Sequence, residues 1–475
     1  MKRLLIKAGI VCIALGVAGM IAVTLWYASA ALPVGTGYVA KYLCSSTFIS
    51  ERDPAVVFEE DIKPVNPLAR VVRWSVDAEG RTVTARALRV FESRSLYREG
   101  VGCTLIRDVT EEQLRGQVFY GDSGGSIRSG GLPEILWPDG EASANPETLG
   151  VDRDKLERAL DSAFAEPEDG DHRKTRAVVI VYQGKLIGER YAPGFHEEMP
   201  LLGWSMAKSV TNALVGILVM RGDLALHDPA PVMAWQDRND PRREITLDHL
   251  MGMVSGLDFV EEYEPLRDAV NMLYGSSDFA AFASSMPLKA EPGSLWNYSS
   301  GNGNIIASIV RAAVEKRHER YYDFFHRALF DRIGMISAVL EPDPSGTFVG
   351  SSYVFATPRD WARFGLLYLQ DGVWEGERIL PEGWVDYSRR PVEAAPRGEY
   401  GALFWLNAGA ADDPDRRLWP DVPRDAFAAQ GFQEQRVIII PSRDLVLVRF
   451  GATSKREAWD TNAFVAEVLK ALPEE

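Results

Sequence analysis

Hydrophobic and polar positions divide the chain into three stretches of different character. Residues 8–27 form an apolar run of 20 residues without a charge. That length spans a bilayer as a helix, and Lys2, Arg3 and Lys7 ahead of it place the N-terminus on the cytoplasmic side. Ala28-Ser29-Ala30 also has the small residues of a signal-peptidase site. Residues 1–30 are therefore expected to be a signal peptide or a transmembrane anchor, with the body exported either way. From 31 to 105 the pattern turns to β-branched or alternating runs at 69–74, 82–91 and around Cys103, with Glu79-Gly80 as a hairpin turn. Together with the Gly/Ser/Pro-rich stretch 121–145, this predicts a small strand-rich N-terminal segment and linker over 31–150.

Residues 151–475 carry the longer periodic elements. A helical pattern covers 152–165, and strands at 177–182 and 186–191 flank the hairpin dipeptide Gln183-Gly184. An apolar helix is expected over 205–221, stopped by Gly222-Asp223. Further helices follow at 246–253, 278–286, 301–316, 321–333 and 358–370. Strands return at 403–407, 436–440 and 445–451, and a last helix covers 457–472. Strands, a helical block, then strands and a helix describe an α/β (α+β) fold. It is an antiparallel sheet flanked by helices, with an adjacent all-helical region.

Of the 475 residues, 46% are hydrophobic and 25% charged, ample for a large core. A formal net charge of -15 argues against a nucleic-acid partner, which needs a basic face. Cys44 and Cys103 follow the apolar run, and in an exported body they either bridge or remain two free thiols. No Cys/His spacing fits zinc: His196-Glu197-Glu198-Met199 is followed by Pro200 where a second histidine would stand. No metal or cofactor is expected.

Two serine motifs compete for the chemistry, the second open to two readings. Gly121-Asp122-Ser123-Gly124-Gly125 matches the nucleophile loop of trypsin-like proteases, but the first histidine of the chain, His172, comes after it. Gly203-Trp204-Ser205-Met206-Ala207 partly matches a nucleophile elbow. The residues before it (two Glu and a Pro) are not strand-like, and no histidine occurs after His326 to serve as base. Ser205-Met206-Ala207-Lys208 reads differently, because three residues apart on a helix share one face. A lysine amine there can take the proton of a serine hydroxyl, provided it is neutral, which burial in an apolar helix favours. Tyr298, in Asn297-Tyr298-Ser299-Ser300, stands at the opening of a helix where a phenol can pass a proton to a leaving group. Ala429-Gln430-Gly431-Phe432-Gln433 enters a strand and can present a backbone N–H opposite that of Ser205.

These segments in this order resemble the serine β-lactamase / penicillin-binding-protein superfamily, closest to its class C-like esterases and 6-aminohexanoate-dimer hydrolases. The resemblance runs from 152 to 472 and includes Met253-Val254-Ser255-Gly256-Leu257 and the segment 355–361. It implies a β-lactamase/DD-peptidase-like domain over 151–475 and acyl-enzyme chemistry without a metal. Ser205 would be the nucleophile, Lys208 the base and Tyr298 the proton shuttle. Ser300, Phe432 and Gln433 would line the oxyanion or substrate site. Ser300 stands where the family has Asn, and Ala429-Gln430-Gly431 stands where lactamases have K-T-G. Without that lysine, β-lactamase and D-Ala-D-Ala peptidase activity are disfavoured. Tyr263 is expected in core packing or at the surface, with the cleft wall as the other placement. The expected protein is a serine hydrolase of a small-molecule ester, amide or peptide, at the cell membrane or periplasmic/secreted. A membrane-anchored, catalytically silent penicillin-binding-like binding or sensor protein is the alternative.

Overall fold

A computed structural model describes residues 2–119, 134–168 and 170–474. The Gly121–Gly125 motif and the first part of the expected linker lie outside the described residues.

Six antiparallel strands form the central sheet. Their order is Trp405–Leu406, Phe427–Gly431, Gln435–Ile440, Leu445–Gly451, Thr175–Tyr182 and Lys185–Tyr191. Side chains alternate across its two faces. Ala177, Val179, Val181, Val437, Ile439, Val446 and Val448 join the larger core, whereas Val178, Ile180, Ile438, Ile440, Leu445 and Leu447 join a smaller one. Helices Arg153–Phe164 and Thr461–Ala471 cover the smaller side through Leu156, Leu160, Phe464, Val465 and Val468. Helix Pro358–Leu369 covers the other through Trp361, Phe364 and Leu367. Apolar residues therefore occupy both faces, and the inner strands carry unbroken hydrophobic runs at 177–182, 437–440 and 445–448. Gln183 and Gly184, at φ 50° and 69°, make the expected two-residue hairpin.

The helical region lies between strands Lys185–Tyr191 and Trp405–Leu406 in sequence. It includes Ala207–Met220, Leu247–Met251, Asp268–Gly275, Phe279–Ser284, Ser300–Lys316 and Tyr321–Phe325. Side-chain caps set several of the starts: Thr246, Asp278, Ser299 and Thr357 each accept a backbone N–H of the following turn.

The N-terminal stretch departs from expectation. One helix runs from Lys2 to Phe48, so residues 31–48, grouped by sequence with a strand-rich segment, are helical. The strands begin at Val72 and form a four-stranded antiparallel sheet, Val72–Asp77, Thr82–Ala87, Phe91–Arg98 and Gly102–Leu105. Tertiary packing decides the difference. Residues 12–27 of the helix are exposed, but from Ala31 onward it is mostly buried against that sheet and against helix Asp268–Gly275. Gly37 permits the close approach, since a Cβ there would stand 2.9 Å from the Tyr274 carbonyl oxygen. By length and composition the helix is apolar enough to cross a membrane.

Two polar clamps and a disulfide hold this helix to the body. Cys44 and Cys103 are bridged, joining the helix to the fourth strand of the small sheet. Glu341, fully buried, pairs with Lys41 and accepts Ser45 Oγ at 2.8 Å and the Cys103 N–H at 2.6 Å. Asp61, also buried, pairs with Arg52 and with Arg176 of the central sheet, and accepts the Tyr42 hydroxyl at 3.1 Å.

Two outcomes follow from these buried carboxylates. Glu341→Ala leaves the Lys41 ammonium buried without its counter-ion, so denaturant unfolding should show a loss of about 3–5 kcal/mol. Asp343 accepts the N–H groups of Phe279 and Thr347 and the Ser345 hydroxyl, yet desolvation, helped by nearby Asp278, pushes its carboxyl up to about 6. A raised carboxyl binds its proton more tightly in the folded state, so its contribution to stability is largest at acid pH and falls as pH rises through 6. The stability of wild type relative to Asp343→Asn should therefore decline by roughly 2–3 kcal/mol between about pH 4 and pH 7.

Candidate active site

Ser205 sits on a sharp turn between a short strand and a helix. Leu201–Leu202 pairs with Val354–Ala356, and the next N–H, that of Gly203, donates to the Val354 carbonyl at 2.9 Å. A strand of two residues thus precedes the serine where the polar sequence predicts none. It forms because the partner edge is present, not from intrinsic preference. Trp204 then takes a left-handed φ of 48°, and Trp204–Met206 turns into helix Ala207–Met220. A bulky residue in that conformation persists only when its surroundings hold it. The Tyr42 ring stacks on Trp204 at 6.0 Å, and Phe432 meets it edge-on at 5.7 Å. The helix itself is pinned by buried Asn212, whose amide donates to the Ala402 carbonyl and accepts from Tyr368 and Trp384.

Three segments converge on Lys208, which is 1% exposed. Its Nζ donates at 3.1 Å to Ser205 Oγ, at 3.1 Å to Ser300 Oγ and at 3.1 Å to the Ser351 carbonyl. The Tyr298 ring covers the amine, with its centroid 4.8 Å from Nζ. Tyr298 in turn packs against Trp405 at 5.3 Å and Tyr400 at 5.8 Å. Burial, followed by the neighbouring Tyr298 and Glu261, holds the Tyr400 phenol well above its ordinary range, so it stays neutral. Ser255 and Leu250, of the Met-x-Ser-Gly-Leu region, meet Asn302 at 3.0 and 3.3 Å and fix the helix that begins at Ser300.

Strand Phe427–Gly431 closes the other side. Gly431 lies directly on the serine turn, where a Cβ would collide with the Gly203 carbonyl oxygen. Ala429 shares the sheet face of Phe427 and Val437, toward the larger core. Gln430 takes the opposite face, paired across the ladder with Arg436, which is itself paired with Glu434. The strand therefore turns a methyl group, not a cation, toward the serine side. Phe432 is 37% exposed and lies 5.4 Å from Tyr263, so that tyrosine belongs to the rim of the site.

Two expected placements change. Ser300, expected to face substrate, is fully buried, with its hydroxyl already shared between Lys208 and Glu261. The shorter side chain cannot reach the cleft as Asn would, so it bonds inward. Gln433 is a turn residue at φ 60°, and its carbonyl accepts from Arg449 at 3.2 Å. Glu261 was not foreseen. It accepts the Ser300 hydroxyl at 2.5 Å, the Ser300 N–H at 2.6 Å and the Tyr263 hydroxyl at 2.9 Å. Its sequence context, an acidic pair in a loop, carries no signal of this. Among the described residues, no group of three or more His, Cys, Asp or Glu side chains is arranged to hold a metal ion.

A helix-borne serine–lysine pair at the edge of an antiparallel sheet, beside a helical region, defines the serine β-lactamase / penicillin-binding-protein architecture. Comparison with known proteins agrees: the beta-lactamase family model matches residues 160–470, and the chain belongs to that family. It is 24% identical over 283 residues to the 6-aminohexanoate-dimer hydrolase of Paenarthrobacter ureafaciens, covering 53% of this chain and 71% of that protein. A solved structure assigned as a 6-aminohexanoate-dimer hydrolase from Bacillus anthracis aligns with a TM-score of 0.54 and 24% identity, over 67% of this chain and 83% of that one. A D-stereospecific amidohydrolase from Streptomyces sp. shares the fold with a TM-score of 0.50 at 15% identity, over 67% and 98% of the two chains. The chain is thus a hydrolase of the beta-lactamase family.

The contact between Gly431 and Gly203 gives a direct check. Gly431→Ala should push the strand and the serine turn apart, cost about 1–3 kcal/mol of stability, and slow labelling of Ser205 by a fluorophosphonate by roughly 10- to 100-fold.

Proposed function

We propose that this chain is a membrane-anchored serine hydrolase that cleaves an ester or amide bond through an acyl-enzyme on Ser205. The observation that carries the reading is the buried Lys208 amine, 3.1 Å from Ser205 Oγ. In the first step Ser205 Oγ bonds to the substrate carbonyl carbon and its proton passes to Lys208. The N–H groups of Ser205 and Phe432 hold the developing oxyanion. The bond to the leaving alcohol or amine then breaks, Tyr298 supplies the proton that the departing group takes up, and Lys208 passes the Ser205 proton on to Tyr298. Water attacks the acyl-enzyme, giving its proton back through the same groups and releasing the acid and free Ser205.

The walls bear on substrate class. Trp204, Tyr263, Tyr298, Trp405 and Phe432 make an aromatic surround, and Ala429 leaves the strand edge without a cation to hold a carboxylate. A linear ester or amide fits this chemistry better than an acidic β-lactam. The name of the Paenarthrobacter ureafaciens relative points the same way.

The N-terminal helix supports anchoring over a cleaved signal. Ala28-Ser29-Ala30 lies within the unbroken helix, and residue 31 is already buried in the body. The exposed apolar residues Ile13, Leu15, Met20, Ile21, Val23, Leu25 and Trp26 suit lipid, and the Cys44–Cys103 bridge suits an oxidising compartment outside the cytoplasm.

Ser205→Ala should remove p-nitrophenyl ester hydrolysis by at least about 10³-fold and abolish fluorophosphonate labelling, with little change in melting temperature. Near-wild-type turnover by that variant would reject the assignment. A folded wild type that neither labels nor turns over would point to a silent binding protein.

A further inference from the structure

Lys208 has three hydrogen-bond acceptors, the number an ammonium group donates to. A protonated amine cannot accept the Ser205 proton, so the arrangement must offer that extra proton somewhere to go. The Ser351 carbonyl accepts a hydrogen bond but has no hydrogen to pass on, and Ser205 is the group to be activated. Ser300 is the remaining contact. Its hydroxyl accepts from Lys208 and donates to Glu261 Oε1 at 2.5 Å, in the range of short charge-assisted bonds.

Resting on the acyl-enzyme reading above, we infer that Glu261 is a positioning residue that takes the Lys208 proton through Ser300. One proton moves from Nζ to Ser300 Oγ as the Ser300 hydroxyl proton moves to Glu261 Oε1. The pair changes from ammonium–carboxylate to amine–carboxylic acid, with no proton exchanged with solvent. Lys208 is then free to take the Ser205 proton. Glu261 is set for this task by two further donors, the Ser300 N–H at 2.6 Å and the Tyr263 hydroxyl at 2.9 Å. The chain from Lys208 to the carboxylate thus runs through a single fully buried hydroxyl.

The other ionisable groups around the pair leave the relay its own course. Tyr298 meets Lys208 by its ring face, Tyr400 lies behind Tyr298, and Tyr263 only donates to Glu261. Next in the loop, Glu262 is paired with Arg267 at 2.8 Å. On the strand side, Arg436 is neutralised by Glu434.

Internal transfer has a kinetic signature. Ammonium–carboxylate and amine–carboxylic acid carry the same number of protons, so the fraction in the active form does not depend on pH while the pair holds one proton. Wild-type kcat/KM for a p-nitrophenyl ester should therefore be flat with pH around neutrality. In Glu261→Gln the proton must leave to solvent, and kcat/KM should rise with pH where the wild type is flat. Ser300→Ala cuts the same path at a different atom and should show the same slope. A purely structural loss would lower the rate at every pH without tilting the profile.

Both variants are measured in the full-length chain, with fluorophosphonate labelling of Ser205 as the check that the site is formed. Tilted profiles in labelled variants of an active, flat wild type support the relay. A labelled Glu261→Gln enzyme whose profile keeps the wild-type shape overturns it, as does a wild type that already rises with pH. Neither of those results touches the acyl-enzyme reading, which is tested separately by labelling and hydrolysis of the wild type and by the loss of both in Ser205→Ala.

Discussion

Burying one lysine amine is the constraint that organises the site. An ammonium group taken out of water demands hydrogen-bond acceptors or it is not buried at all. Lys208 obtains them from the serine turn, from the start of the Ser300 helix and from the loop at Ser351. These three segments lie far apart in sequence, and satisfying one side chain draws them together. Tyr298 then closes the aromatic side of the amine. Ser205, Lys208 and Tyr298 occupy one place because a buried amine with fewer partners would destabilise the fold.

The serine turn depends on groups outside the stretch matched by the family. Trp204 is held in a left-handed conformation by Phe432 on one side and by Tyr42 of the N-terminal helix on the other. That helix is tied to the body by the Lys41–Glu341 ion pair, by the Tyr42 hydroxyl donated to Asp61, and by the disulfide. The family match begins at residue 160, yet residue 42 braces the backbone one position before Ser205. The same helix continues into the exposed apolar stretch, so the segment that would sit in lipid and the segment that supports the serine turn belong to one continuous helix.

Local chemistry made much of the fold legible in sequence. Gln183-Gly184 is a hairpin because both positions must adopt positive φ, and a helix starts at Thr246 because its side chain satisfies a free backbone N–H of the first turn. Ser205 and Lys208 share a helix face by spacing, and their contact follows from it. Features created by tertiary contact were not legible. Residues 31–48 lack a strong helical period and are helical because they fill the space between a sheet and another helix. The two-residue strand at 201–202 exists only beside its partner edge. Strand Phe427–Gly431 was partly hidden in a segment resembling a turn, and Glu261 reaches Ser300 across 39 residues.

The central claim is that Ser205, and no other group, carries the substrate's acyl portion between the two chemical steps. Rapid quench of the full-length protein with p-nitrophenyl acetate, followed by mass mapping of its peptides, tests this directly. The account predicts an acetyl group on the peptide containing Ser205, formed with the burst of nitrophenol and lost at the rate of steady turnover. Turnover with no adduct on that peptide, or with the acetyl group on another residue, would contradict it.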